Sequence, residues 1–118
     1  MTYEIYENRG VVTAIREEES EDGSVYHSCS MGLDTFKDVK RAISLWMGMP
    51  FAGSRGAEYR FNEDCGDFTW RYTLNITRDS IEIDALAYAD YEVDYSRGSE
   101  YISGPRNEIE KLFMSIQA

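Results

Sequence analysis

Residues 81–95, IEIDALAYADYEVDY, alternate almost without a break. The odd positions Ile81, Ile83, Ala85, Ala87, Ala89, Tyr91, Val93 and Tyr95 are apolar or aromatic. The even positions carry Glu82, Asp84, Leu86, Tyr88, Asp90, Glu92 and Asp94. A period of two sends the two sets to opposite faces of a strand. The preceding stretch DFTWRYTLNIT also alternates, with Phe68, Trp70, Tyr72, Leu74 and Ile76 on one side. If Arg78-Asp79 turns the chain with Thr77 opposite Ser80, then Ile76 faces Ile81, Leu74 faces Ile83, Tyr72 faces Ala85, Trp70 faces Ala87 and Phe68 faces Ala89. Large side chains meet small ones, as dense cores require. A slip by one residue would send every apolar side chain to the wrong face.

Length sets a limit on this ribbon. Fifteen residues at ~3.3 Å each span roughly 50 Å, whereas a domain of this size has a radius of gyration of only about 13 to 14 Å. The strand therefore either bends at a bulge around Ala85 to Ala89 or lets its Asp90 to Tyr95 end project past the sheet.

The first third of the chain also reads as strands. TYEIYE alternates over Thr2 to Glu7, Asn8-Arg9-Gly10 signals a turn, and VVTAIRE places Val11, Thr13 and Ile15 on one face. After the acidic run EEESEDGS, whose Asp22-Gly23 suits a positive φ, SVYHSCSM carries Val25, His27, Cys29 and Met31 on one side. The period then lengthens. In LDTFKDVKRAISLWMGM, Phe36, Val39, Ile43, Trp46 and Met47 form one stripe of a helix, with Lys37, Lys40, Arg41 and Ser44 away from it. Asp34 or Thr35 is placed to cap its start, Thr35 with Asp38 fits a reciprocal cap, and Gly48 and Pro50 end it.

FAGSRGA reads as a loop, AEYRFNE as a short strand and Asn62 to Asp67 as a turn. SRGSEYISGP reads as a second loop. PRNEIEKLFMSIQA returns to helical spacing through Ile109, Leu112, Phe113 and Ile116, with Pro105 in its first turn. The expected architecture is α+β, a two-layer sandwich in which an antiparallel sheet of about six strands carries two helices on one face, in the order β-β-β-α-β-β-β-α. Residues 1–118 are expected to form one domain with one core, as 118 residues with 42% hydrophobic content allow.

Charge narrows the function. Twenty-two acids against twelve bases give a formal net charge of −10, which argues against direct nucleic-acid binding and favours encounter with a basic protein. The longest uncharged run, Ala42 to Ser54, is too short and mixed for a membrane span, and MTYEIYENRG lacks the profile of a secretory signal. The chain reads as cytoplasmic, or as a mature fragment that has lost its signal. Cys29 and Cys65 are expected to be reduced thiols with at least one buried; a single bridge between them stays open for an exported protein.

The inventory of reactive groups is thin. His27 is the single histidine, and it shares a strand face with Cys29, but zinc would need Cys65 and a fourth ligand at spacings the sequence lacks. NEDCGD places Gly66 one position early for a calcium loop. GSRG, 53–56, precedes strand-like residues rather than a helix, so a phosphate-binding loop is not expected. No catalytic, metal or cofactor residue is assigned.

The acidic face is what remains. Under the register above, Arg71 lies opposite Leu86 and Thr69 opposite Tyr88, and Glu82, Asp84, Asp90, Glu92 and Asp94 flank Leu86 and Tyr88. An apolar or aromatic centre with a charged rim is the anatomy of a protein interface. The plainer alternative is a solvated face. Direct imitation of DNA by one strand falls short, because alternate carboxylates stand ~6.6 Å apart against a duplex charge every ~1.7 Å.

The expectation is a small acidic binding protein that neutralises a basic partner, such as an immunity protein or an inhibitor of a nuclease or nucleic-acid-handling complex, phage anti-defence inhibitors included. Its partner-binding residues would be Glu82, Asp84, Leu86, Tyr88, Asp90, Glu92 and Asp94. The alternatives are a small enzyme or ligand carrier with a pocket lined by Trp46, Trp70, Tyr72 and Phe113, and an acidic structural subunit or homodimer joined through edge strands.

Overall fold

Tight turns set the register of the first sheet. The computed structural model describes residues 1–51 and 56–118. Arg9 and Gly10 both adopt positive φ, 52° and 80°, a turn geometry that matches the twist of the strands it joins. Strand β1 (Thr2–Asn8) therefore folds straight back as β2 (Val11–Ser20), with Asn8 opposite Val11 and Ile5 opposite Ala14. The next turn leads through Gly23, at φ 118°, into β3 (Gly23–Gly32), and pairs Ala14 with Cys29 and Val12 with Met31. Val12, Ala14, Cys29 and Met31 are buried. Val11, Thr13 and Ile15 do share a face, but it is the outer one. The Arg9-Gly10 turn fixes the parity of β2, so the larger Ile15 yields the core to Ala14.

Helix α1 (Leu33–Trp46) follows β3 without a loop. That junction overturns the expected caps. Asp34 and Thr35 lie inside the first turn, Gly32 occupies the capping position with an extended backbone, and no side chain caps the helix. The Leu33 N–H instead donates to the Gly10 carbonyl at 2.8 Å, so the β1–β2 turn satisfies one of the otherwise orphaned amides. Phe36, Val39 and Ile43 are buried as the stripe predicts, and Trp46 is half-buried. Met47 is exposed, because the helix stops at Trp46 and Met47 turns extended.

The second sheet holds β4 (Ala57–Asp64), β5 (Thr69–Ile76), β6 (Ser80–Ala89), β7 (Glu92–Val93) and β8 (Ser99–Pro105), with β6 between β5 and the pair β7 and β8. The β5–β6 register is the expected one from Ile76 opposite Ile81 to Thr69 opposite Tyr88, while Phe68, expected opposite Ala89, lies outside β5. Thr77 N–H donates to Ser80 C=O at 2.9 Å to close the turn.

Two expectations fail here. SEYISGP, read as loop from its Ser, Gly and Pro, is β8 and pairs with β6 from Ser99 opposite Leu86 to Pro105 opposite Ser80. Its one large apolar residue, Ile102, faces Ile83 and is buried. The long ribbon neither bulges nor projects. It ends at Ala89; Asp90 and Tyr91 take positive φ, 50° and 71°, and Glu92–Val93 folds back onto Ala89 and Tyr88. A single 3₁₀ turn at Tyr95–Arg97 then leads to β8.

The fold is thus α+β in the expected order, with eight antiparallel strands among the described residues, in sheets of three and five rather than about six in one. Helix α2 (Arg106–Met114) buries Ile109 and Phe113, and the Phe113 ring stacks on Phe36 at 5.6 Å between centroids. Pro105 ends β8 just ahead of this helix rather than sitting in its first turn. Helix α1 packs on β2, β3 and β4, and α2 on β1, β6 and β8, so both helices bridge the two sheets.

Side chains of the larger sheet also grip the free edge of β3. Ser30 N–H donates to the Glu100 carboxylate at 3.0 Å, Tyr72 donates to the Ser30 carbonyl, and Gly32 N–H donates to Glu63. An edge strand carries unpaired backbone groups, and here carboxylates and a phenol take the place of a neighbouring strand.

Candidate functional site

Because the apolar residues of β5 and β6 turn inward against the helices, the opposite face of the larger sheet is left uncovered by them. Register assigns it Glu58, Arg60 and Asn62 from β4, Arg71 and Thr73 from β5, Glu82, Asp84, Leu86 and Tyr88 from β6, and Tyr101 from β8. The four β6 residues are half-buried, as neighbours of an interior strand should be.

This face has two parts. At one end, Glu82 accepts the Tyr101 hydroxyl at 3.0 Å, and Asp84 is its neighbour along the strand. Partial burial, then the charge of Glu82, pushes the Asp84 carboxyl above the ordinary carboxylate range, with Glu58 adding to the effect and the Thr73 hydroxyl opposing it. At the other end, the Arg71 guanidinium lies over the Tyr88 ring, 4.2 Å from its centroid. Among the described residues, neither Glu82 nor Asp84 has a basic group within 4.0 Å, whereas Glu58 meets Arg60 at 3.8 Å. Arg71, opposite Leu86 on the neighbouring strand, stacks on Tyr88 and is not within 4.0 Å of either carboxylate.

Four of the seven residues expected to form the site, Glu82, Asp84, Leu86 and Tyr88, are therefore brought together. The other three leave the row when the ribbon turns after Ala89. Asp90 stands exposed at the turn. Glu92 pairs with Ala89 and so takes the parity of the core side. Asp94 is neutralised within its own turn: the Ser96 amide and hydroxyl, and the Arg97 guanidinium at 3.2 Å, donate to it and hold its carboxyl below the ordinary range.

Sequence reading missed two contributors. Tyr101 comes from the strand taken for a loop; the alternation around Ile102 in SEYIS was the available signal. Asp67, from the β4–β5 turn, joins the expected Asp90 in flanking an open hollow of about 600 Å³ at the Tyr88 end of the face. No sequence pattern connects residues so far apart.

The remaining candidates are placed as follows. Cys29 and Cys65 are free thiols, the first buried and the second exposed. Burial raises the Cys29 pKa far above the usual thiol value, with Glu100 adding to it, so Cys29 stays protonated and unreactive. His27 is half-buried and sits edge-on to Tyr101 at 6.3 Å. Among the described residues, no three His, Cys, Asp or Glu side chains are grouped to hold a metal ion. The four aromatics considered for a pocket have separate partners. Phe113 and Tyr72 are sealed in the core, Trp46 stacks on Phe51 and donates to Tyr59, and Trp70 meets Phe68 edge-on. Residues 53–55 of GSRG lie outside the described residues. The acidic run from Glu18 to Asp22 is exposed at the β2–β3 tip. No helix among the described residues is long and apolar enough to cross a membrane.

No family model, no curated protein and no solved structure matches this chain.

Proposed function

We propose that this protein is a small acidic binding module that docks its uncovered sheet face on a basic protein and neutralises it. The observation that carries this reading is the pair Glu82 and Asp84, held side by side on a rigid interior strand with no basic group within 4.0 Å among the described residues. Like charges kept together raise each other's energy, and a cationic partner relieves it. Beside them, Leu86, Tyr88 and Tyr101 offer apolar and aromatic contact, in keeping with the core-and-rim anatomy of interfaces. A net charge of −10 would speed the encounter.

Four strands bearing about four outward residues each cover roughly 500 Å², short of the ≈ 800 Å² per partner of a standard interface. The adjoining turns would have to contribute. The setting that fits is the cytoplasm, where two free thiols are at home, and the partner class is a nuclease or another nucleic-acid-handling protein whose own cleft is basic. An immunity protein or a phage-encoded inhibitor of a host defence complex meets this description.

The test is affinity capture from the native host with the tagged chain, followed by binding measurements on the purified pair. A basic partner is expected, with affinity that falls steeply between low and high salt and is lost in the Glu82→Lys/Asp84→Lys variant while its circular dichroism is unchanged. A partner retained by that variant at full affinity would remove the sheet face from the interface.

A further inference from the structure

The hollow at the Tyr88 end of the face has features that the acidic pair does not explain. It lies between the β4–β5 turn and the β6–β7 turn and is lined by Asp67, Thr69, Arg71, Tyr88, Asp90 and Tyr91 among others. Its volume, about 600 Å³, is ample for one long side chain. Tyr91 is wholly exposed, 101% relative to a free residue, and it is held out by a turn in which both residues take the left-handed conformation. Tyrosine is a poor choice for that conformation, which glycine, asparagine and aspartate adopt more readily. An exposed ring kept where the backbone disfavours it points outward to a ligand rather than inward to the core.

We infer that this hollow is a socket for an arginine side chain of the basic partner. The inference rests on the docking reading above and names the contact at its aromatic end. Rings in this region already take guanidinium groups: Arg71 lies 4.2 Å from the Tyr88 centroid and Arg97 lies 3.7 Å from that of Phe68. No guanidinium among the described residues lies over Tyr91, the third ring of the lining. Among the described residues, Asp67 and Asp90 have no basic group within 4.0 Å. Two aspartates against Arg71 leave the lining with one negative charge, which a single incoming cation cancels. A guanidinium entering there stacks on Tyr91, as cations do on aromatic faces, and donates to the two carboxylates at the rim. Arginine is favoured over lysine because its planar group satisfies stacking and paired donation together.

The probe is Nα-acetyl-arginine-N-methylamide, titrated into the whole isotope-labelled chain and followed by backbone amide shifts. Saturable shifts centred on Thr69, Tyr88, Asp90 and Tyr91 are expected, smaller shifts with the lysine analogue, and none with the norleucine analogue. Asp67→Asn/Asp90→Asn should weaken the arginine probe about tenfold, the scale of a close charge pair, and Tyr91→Ala should weaken it as well. Both variants change exposed side chains, and retained amide spectra would show that they fold. Equal response to the norleucine analogue, or preference for an acetyl-glutamate analogue through Arg71, would overturn the socket. So would a purified partner that binds the Asp67→Asn/Asp90→Asn chain at full strength while losing the Glu82→Lys/Asp84→Lys chain, and that outcome would leave the docking reading standing. A chain that captures no basic partner yet binds the arginine probe at these residues would show the reverse.

Discussion

Tyr72 donates its hydroxyl proton to the carbonyl of Ser30 at 2.8 Å, across the boundary between the two sheets. Its phenol is held protonated first by burial and then by the neighbouring Glu63, whose carboxylate lies 3.2 Å from the same oxygen. Ser30 belongs to the edge of β3, and its N–H is taken by Glu100 at 3.0 Å. The larger sheet therefore supplies both partners that a further strand would have given Ser30. Replacing Tyr72 by Phe keeps the ring and orphans that carbonyl. A loss of about 1–3 kcal/mol is expected, the cost of an unsatisfied buried acceptor, read as a lower denaturant midpoint at unchanged m-value. A loss below about 0.5 kcal/mol would mean that another donor takes over.

Glu100 gives the same junction a pH dependence. Burial raises its pKa above the ordinary 4.5, Glu63 adds to the rise, and the hydrogen bond from Ser30 opposes it. A raised folded-state pKa means that the folded chain binds a proton at pH values where the unfolded chain does not. Stability from this group is therefore fully present below the ordinary value and is lost as pH climbs through the raised one. Asp84 acts with the same sign and Asp94 with the opposite one, so the contribution must be read by difference. Glu100→Gln keeps an acceptor for Ser30 and removes the charge. The variant is expected to gain stability near neutral pH relative to the parent, and the gap should close as both are taken below pH 4.5. A variant less stable than the parent at every pH would show that the carboxylate charge itself is needed.

How much of this was legible in the sequence depends on how far each feature reaches along the chain. The β5–β6 register could be read because alanines facing rings allow only one pairing. The α1 stripe could be read because period and length agree. The choice of face in β2 could not, since Val11, Thr13 and Ile15 look more apolar together than Val12 and Ala14; parity came from the Arg9-Gly10 turn. β8 was hidden by Ser, Gly and Pro, whose loop-like composition is overridden once Ile102 finds Ile83. Half of the acidic face was legible for as long as the strand ran. Asp90, Glu92 and Asp94 were assigned to it by extending the alternation through a turn whose Asp-Tyr residues carry no strong turn signal. The hollow joins 66–69 to 88–91, and contact across two hairpins leaves no local pattern.

The two thiols should differ sharply in reactivity. Cys65 is exposed, while Cys29 is fully buried with its pKa pushed up by burial and then by Glu100. A thiol-reactive dye is expected to label one cysteine in the native protein and two after unfolding, with Cys65 identified by peptide mapping. Rapid native labelling of Cys29 would mean that β3 opens from the larger sheet, since its thiol is reached only by parting them.

Gly104 and Tyr3 fit together too closely for any larger residue at 104. A Cβ placed on Gly104 would collide with the Tyr3 hydroxyl and stand 2.9 Å from the ring carbon that bears it. Gly104→Ala is expected to cost about 1–3 kcal/mol by overpacking. Tyr3 is half-buried, so its ring can be removed without opening a sealed cavity. In a chain already carrying Tyr3→Ala, the alanine at 104 should cost little, giving a coupling of at least about 1 kcal/mol in the double-mutant cycle. Additive losses would place the strain in the backbone of β8 rather than against Tyr3.

Stability and binding should move in opposite directions at Tyr91. Its φ of 71° lies in the left-handed region, and the ring is wholly exposed. Side chains with a Cβ pay about 1 kcal/mol or more there, and a ring with no packing contributes nothing in return. Glycine at this position loses more chain entropy on folding, which takes back part of the gain. Tyr91→Gly is therefore expected to raise stability by about 0.5–1 kcal/mol, seen as a higher denaturant midpoint, while weakening the arginine probe. If the substitution lowers stability, the ring packs in solution and is not held out for a ligand. If it raises stability and leaves probe binding untouched, the turn is strained for a reason other than the socket.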